Sequence, residues 1–192
     1  MFRLTAVTVF SLAFAFSSPA LGADAGTPPG PPGVRGDLLL SLDFLEQQIV
    51  SLEQAMPQAK FTWRPAKDVR SVSELYLHIA GGIYGLTGRI GRETPADVQA
   101  LMKEKKWESQ TTNKDEIKNI LTTAFAHLRK AILETNDADL DKQVKLMGRD
   151  VSFRLVLMGT QFHNAEHLGQ AIAYARINGV VPPWSKGGED KK

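Results

Sequence analysis

Near the C-terminus the chain reads Gln161-Phe-His-Asn-Ala-Glu-His-Leu-Gly-Gln170, which places two of its four histidines four residues apart with a carboxylate between them. On a helix, positions four apart lie one turn apart on one face. His163 and His167 can therefore aim their imidazoles at one point, as two ligands of one metal ion. Gln170 and Tyr174 follow on the same face and offer polar atoms that could orient a ligand from behind. Taken alone the pair is a weak signal, because two histidines at this spacing more often face solvent or bond to neighbours. Glu166 is the nearest carboxylate in sequence. It lies about 100° around the helix from His167, so an exposed or inter-helix polar contact fits it better than catalysis.

A third donor changes the reading. His78 stands in an apolar helical stretch between Leu75, Ile79 and Gly82, where a lone histidine is costly unless paired. In helical bundles, ligands from facing helices meet in the interior. One histidine from this helix and two from the last would make a three-histidine site with open positions for water or substrate. His127 lies beside Arg129 and Lys130 and reads as a surface or core-edge residue. His163-Asn-Ala-Glu-His167 also spells the inverted zincin motif His-x-x-Glu-His. That protease reading needs a downstream carboxylate, and only Glu189 and Asp190, in a polar tail, follow.

The elements that must position these residues are helical. Residues 37–56 carry Leu38, Leu42, Leu45, Ile49, Leu52 and Met56 at helical spacing. Residues 57–70 read as a loop. A second helix opens on the capping box Ser71-Val-Ser-Glu74 and continues to Ile90. Its glycines 81, 82, 85 and 88 each cost about 1 kcal/mol against alanine, a cost that close packing can offset. Residues 92–112 form a long connection with a short helix, which Thr94 can cap and Pro95 can begin. A third long helix spans 114–134. A turn around Gly148 follows, and a fourth long helix spans 152–178 with Gly179 as its C-cap. No alternating strand pattern stands out. The expected fold is all-α, a four-helix bundle with a long crossover between the second and third helices.

Residues 1–22 show a basic start, a short apolar run and small residues, the three regions of a secretory signal. The run is shorter than the ~20 residues that span a bilayer, so cleavage and export to the periplasm or outside the cell are expected, with no stable membrane insertion afterwards. Residues 23–36 are a Pro/Gly linker, residues 37–185 the domain and 186–192 a polar tail. About 170 residues would remain after cleavage, enough for one domain with a core. The chain has no cysteine, so neither a disulfide nor a thiol of its own can serve it. The formal charge is +2, which is not the footprint of a nucleic-acid binder.

These residues together resemble the DinB-like superfamily. Phe61-Thr-Trp-Arg-Pro65 followed by Ser71-Val-Ser-Glu-Leu-Tyr-Leu-His78 is similar to the family's Trp-x-Pro loop and capped helix with a ligand histidine. His163-x-x-x-His167-Leu-Gly-Gln170 with Tyr174-Ala-Arg176 is similar to its last-helix motif, and Asn178-Gly179 with Val181-Pro-Pro183 to its tail. The resemblance covers about residues 37–185. It implies a divalent metal (nickel, zinc, iron or manganese) held by His78, His163 and His167. Some relatives transfer or isomerise through a small-molecule thiol, which belongs to the cytoplasm, and this chain departs from them in its leader. The resulting expectation is an exported metal-dependent hydrolase or transferase acting on an unknown small molecule. The alternative is a non-enzymatic metal- or ligand-binding bundle, with its apolar stripes and glycines serving helix packing or a homodimer interface.

Overall fold

The computed structural model describes residues 31–185. The expected leader, most of the linker and the polar tail lie outside the described residues. The described residues form five α-helices and one two-stranded sheet: α1 (Val34–Ala55), α2 (Val72–Thr87), α3 (Ala96–Lys103), α4 (Lys114–Glu134), β1 (Gln143–Leu146), β2 (Arg149–Ser152) and α5 (Phe153–Ile177). The first helix begins at Val34, so the last three residues of the expected linker are helical. Among the described residues, no helix is long and apolar enough to cross a membrane.

The helix starts follow from local chemistry. Ser71 Oγ accepts the Glu74 amide while Glu74 Oε2 accepts the Ser71 amide at 2.7 Å, which closes the capping box. The preceding loop supplies two more acceptors. Trp63 and Phe61 carbonyls take the Val72 and Ser73 amides at 3.0 and 2.9 Å, so the free donors of the first turn are satisfied. Asn113 caps α4 and Ser152 caps α5 in the same manner. Gly179 takes φ 74° just past α5, the left-handed conformation that glycine adopts without strain. Thr94 does not cap α3: the cap position falls to Pro95, which has no side-chain donor or acceptor.

The β-hairpin corrects the expectation of a chain without strands. Its strands are four residues each and pair antiparallel, Val144 opposite Val151 and Lys145 opposite Asp150. So short a stretch carries too few alternations to register as a period in sequence. Met147 and Gly148 both have positive φ (50° and 78°), as a tight hairpin turn requires. Val144, Leu146 and Val151 pack against the core. The Leu140 and Lys142 carbonyls accept the Arg154 and Phe153 amides, which ties the hairpin to the start of α5.

Helices α1 and α2 each pack on both α4 and α5. The core between them holds Leu42, Ile49 and Leu52 from α1, Leu75, Ile79 and Ile83 from α2, Leu121, Phe125 and Leu128 from α4, and Val156, Leu157 and Ala175 from α5. Helix α2 is buried on nearly every side. That explains its apolar, glycine-containing sequence, since a helix surrounded by others has no polar face. Its direct packing on α5 brings His78 to the histidines of α5.

Candidate metal centre

His78 on α2 and His163 and His167 on α5 each offer a ring nitrogen within 4.8 Å of the other two. Their ring centroids are 4.5 to 5.0 Å apart. His163 Nε2 lies 3.2 Å from His78 Nε2. Two nitrogens each ~2.1 Å from one ion stand about 3.0–3.4 Å apart, so this separation suits a shared cation. All three side chains are half-buried at the edge of the core.

The outer nitrogens of two rings are held from behind. His78 Nδ1 is 2.6 Å from Glu108 Oε1. Glu108 in turn receives both Arg70 Nε (2.7 Å) and Arg70 Nη2 (3.0 Å). His167 Nδ1 donates to Gln170 Oε1 at 3.0 Å, Gln170 Nε2 donates to the Tyr174 hydroxyl at 2.9 Å, and that hydroxyl donates to the Arg70 carbonyl at 3.0 Å. With Nδ1 carrying the proton, Nε2 of each ring keeps its lone pair for the shared point. His163 Nδ1 is buried and has no hydrogen-bond partner among the described residues.

Electrostatics favour the neutral ring at His78 and His163. Burial lowers the His78 pKa, against the opposing effect of the hydrogen bond it donates to Glu108. Burial, and then the neighbouring His167 and His78, push His163 down to about 4. Metal ligation requires these rings unprotonated. Burial alone would raise Glu108, but Arg70 and His78 beside it hold its carboxyl below the usual range. It is therefore an anion at neutral pH, fit to accept the Nδ1 proton of His78. The donor set is three imidazoles with two outer partners in place, and it fits a borderline divalent cation.

Two clefts open at the site, one against His78 and one against the groups behind the rings. One, of about 420 Å³, is lined by His78, Gly82, Met102, Lys105, Trp107 and Glu108 among others. The other, of about 570 Å³, is lined by Arg64, Asp68, Arg70, Glu74, Lys105, Glu108 and Gln170 among others. They share Lys105 and Glu108, and both fall in the size range of small-molecule sites.

Gln170 and Tyr174 lie in the hydrogen-bond chain behind His167. Glu166 is exposed on α5. His127 is separate from it: its Nε2 is 3.1 Å from Thr87 Oγ1, at the α2–α4 contact. Glu108 and Arg70 were not foreseen. Glu108 follows a polar run in the long connection, thirty residues from His78, and no period or spacing links the two. The signal that could have found it is Trp107, a large apolar residue ending that run.

The family model of the DinB superfamily matches residues 41–171, well over half of the chain. Among solved structures, a DinB-like protein from Bacillus cereus is 17% identical, with 76% of this chain and 93% of that chain covered and a TM-score of 0.66. A conserved protein from Enterococcus faecalis is 15% identical, with 76% and 97% covered and a TM-score of 0.65. A mycothiol-dependent maleylpyruvate isomerase is 20% identical, with 70% and 59% covered and a TM-score of 0.55. At these identities the likeness is one of fold. None of the curated proteins compared matches by sequence. On the family match over residues 41–171, with His78, His163 and His167 gathered at one point, this chain belongs to the DinB superfamily.

Proposed function

We propose that this protein is a divalent-metal-binding DinB-like protein and that its centre serves a metal-dependent hydrolase or transferase reaction on a small molecule. His78, His163 and His167 would hold the ion, whether zinc, nickel, iron or manganese. The observation that carries this reading is the convergence of three imidazole nitrogens within 4.8 Å from two packed helices. An ion bound there supplies Lewis acidity toward water or a ligand. Glu108 and Gln170 would fix the rings, and Lys105 and Arg70 would line the approach. In this reading α1, α2, α4 and α5 form a four-helix bundle with the α3 segment as its crossover. The N-terminal leader directs the protein out of the cytoplasm, and the mycothiol dependence named for the isomerase is not carried over.

One observation favours a second reading, a non-enzymatic metal- or ligand-binding bundle. Glu108, the carboxylate bonded to the cluster, is already engaged by Arg70 and His78. Metal content of the protein purified from its natural compartment tests the site. The parent should carry a stoichiometric divalent ion, and His78→Ala and His163→Ala should lose it. Retention in both variants sinks the three-histidine reading. Metal-loaded protein that turns over an ester, amide or thiol conjugate supports the enzyme, and inertness toward the whole panel supports the binding bundle.

A further inference from the structure

The four glycines of the second helical stretch are not equivalent. At Gly85 an added Cβ would find nothing nearer than Met102 Cε at 4.0 Å, and at Gly88 nothing within 4 Å. At Gly81 it would stand 2.5 Å from Trp107 Nε1 and 2.6 Å from Trp107 Cδ1. At Gly82 it would stand 2.7 Å from His163 Nδ1 and 2.8 Å from His163 Nε2. Separations under 3 Å force one of the groups to move.

Both neighbours are held by other contacts. The Trp107 indole is buried, with Tyr84 edge-on to it at 5.9 Å. Its Nε1 donates to the Leu77 carbonyl of α2 at 2.6 Å. A methyl at position 81 would lift the indole off that carbonyl. The next residue, Glu108, would move with it and withdraw its carboxylate from His78 Nδ1. The His163 ring is hemmed in by His78 and His167, at centroid distances of 5.0 and 4.5 Å. A methyl at position 82 would push its Nε2 off the shared point.

We propose that Gly81 and Gly82 are positioning residues of the three-histidine centre: Gly81 seats Trp107, which carries Glu108 to His78, and Gly82 lets the His163 ring lie directly on α2. This alignment rests on the metal reading for its purpose. The geometry it predicts in the metal-free protein does not, so the two can fail separately. Glycine inside a helix costs about 1 kcal/mol against alanine, and at Gly81 and Gly82, unlike Gly85, an alanine could not recover that cost without displacing a neighbour.

The test uses Gly82→Ala, Trp107→Phe and the control Gly85→Ala, with zinc(II) as probe. Gly82→Ala and Trp107→Phe should bind zinc about 10- to 100-fold more weakly, the loss typical when the support behind a metal ligand is removed, with helix content by circular dichroism unchanged. Gly85→Ala should bind as the parent does, with Tm raised by about 2–4 °C. Long-range ¹H–¹⁵N NMR of the metal-free protein should show His78 as the single Nδ1–H tautomer in the parent and a mixture in Trp107→Phe. Parent-like affinity and tautomer in both Gly82→Ala and Trp107→Phe overturn the proposal. So does an equal loss of affinity in Gly85→Ala. If Gly82→Ala fails to fold, Trp107→Phe decides. If the parent binds no zinc, nickel, iron or manganese, the metal reading fails, and the tautomer comparison alone decides the alignment.

Discussion

Replacing Glu108 by glutamine should weaken metal binding about tenfold without unfolding the protein. Glu108 Oε1 accepts His78 Nδ1–H at 2.6 Å and Arg70 Nη2 at 3.0 Å, while Oε2 accepts Arg70 Nε at 2.7 Å. Glutamine has one oxygen and one amide nitrogen in place of those two oxygens. With its oxygen toward His78, its amide N–H groups face the Arg70 Nε–H, donor against donor. With the amide reversed, His78 Nδ1 must accept, which moves the ring proton to Nε2 and removes the lone pair a metal needs. A hydrogen bond to a charged group contributes about 1.5–3 kcal/mol. The Glu108 and His78 side chains are 36% and 24% exposed, so solvent screens the interaction toward the lower end. About 1.4 kcal/mol is a factor of ten in Kd. The assay is competitive titration of zinc(II) against a chromogenic chelator at neutral pH, with the exposed Glu166→Gln as control. The control should match the parent. A Glu108→Gln variant that binds zinc within about twofold of the parent would refute the chain of argument from Arg70 through Glu108 to His78.

Three further outcomes follow from the same geometry. Burial pushes the Glu53 carboxyl from 4.5 up to about 7, and its Oε1 has no partner among the described residues. The folded state thus holds this proton more tightly than the unfolded chain. The stability it contributes is complete below pH about 4.5 and is lost as pH rises through about 7, up to about 3 kcal/mol in all. Glu53→Gln should therefore be more stable than the parent at pH 8 and not at pH 4, by urea melts at both, and a difference independent of pH would contradict this. Chelation of a metal present at a hundred times its Kd should cost about 2.7 kcal/mol, or about 5–10 °C in Tm. His163→Ala should show no such response in a thermal scan. Ser71→Ala removes the cap of α2 and should cost about 1 kcal/mol in a denaturant melt, and an unchanged midpoint would show that the loop carbonyls of Phe61 and Trp63 hold the helix start unaided.

The helices were legible because their causes are local. The Ser71–Glu74 box, Asn113 and Gly179 act within one turn, and the stripes of α1 and α4 repeat at 3.6 residues. The hairpin was not legible. Four-residue strands carry no usable period, and the pairing of Val144 with Val151 depends on a turn whose positive φ at Met147 no simple residue preference announces.

The site divides in the same way. The spacing of His163 and His167, and the continuation to Gln170 and Tyr174, are properties of one helix and could be read directly. The addition of His78 was an inference that α2 and α5 face each other, and only the packing of those helices brought its Nε2 to 3.2 Å from that of His163. Glu108 and Arg70 were beyond reach for a plainer reason. They act on His78 across a contact made by a single turn of chain resting on Gly81, and nothing periodic connects residues 70, 78 and 108. By itself the sequence determined which segments are helical and which residues could bind a cation. Only the tertiary structure decided which of them meet and which groups hold them in place, because those contacts join positions far apart in the chain.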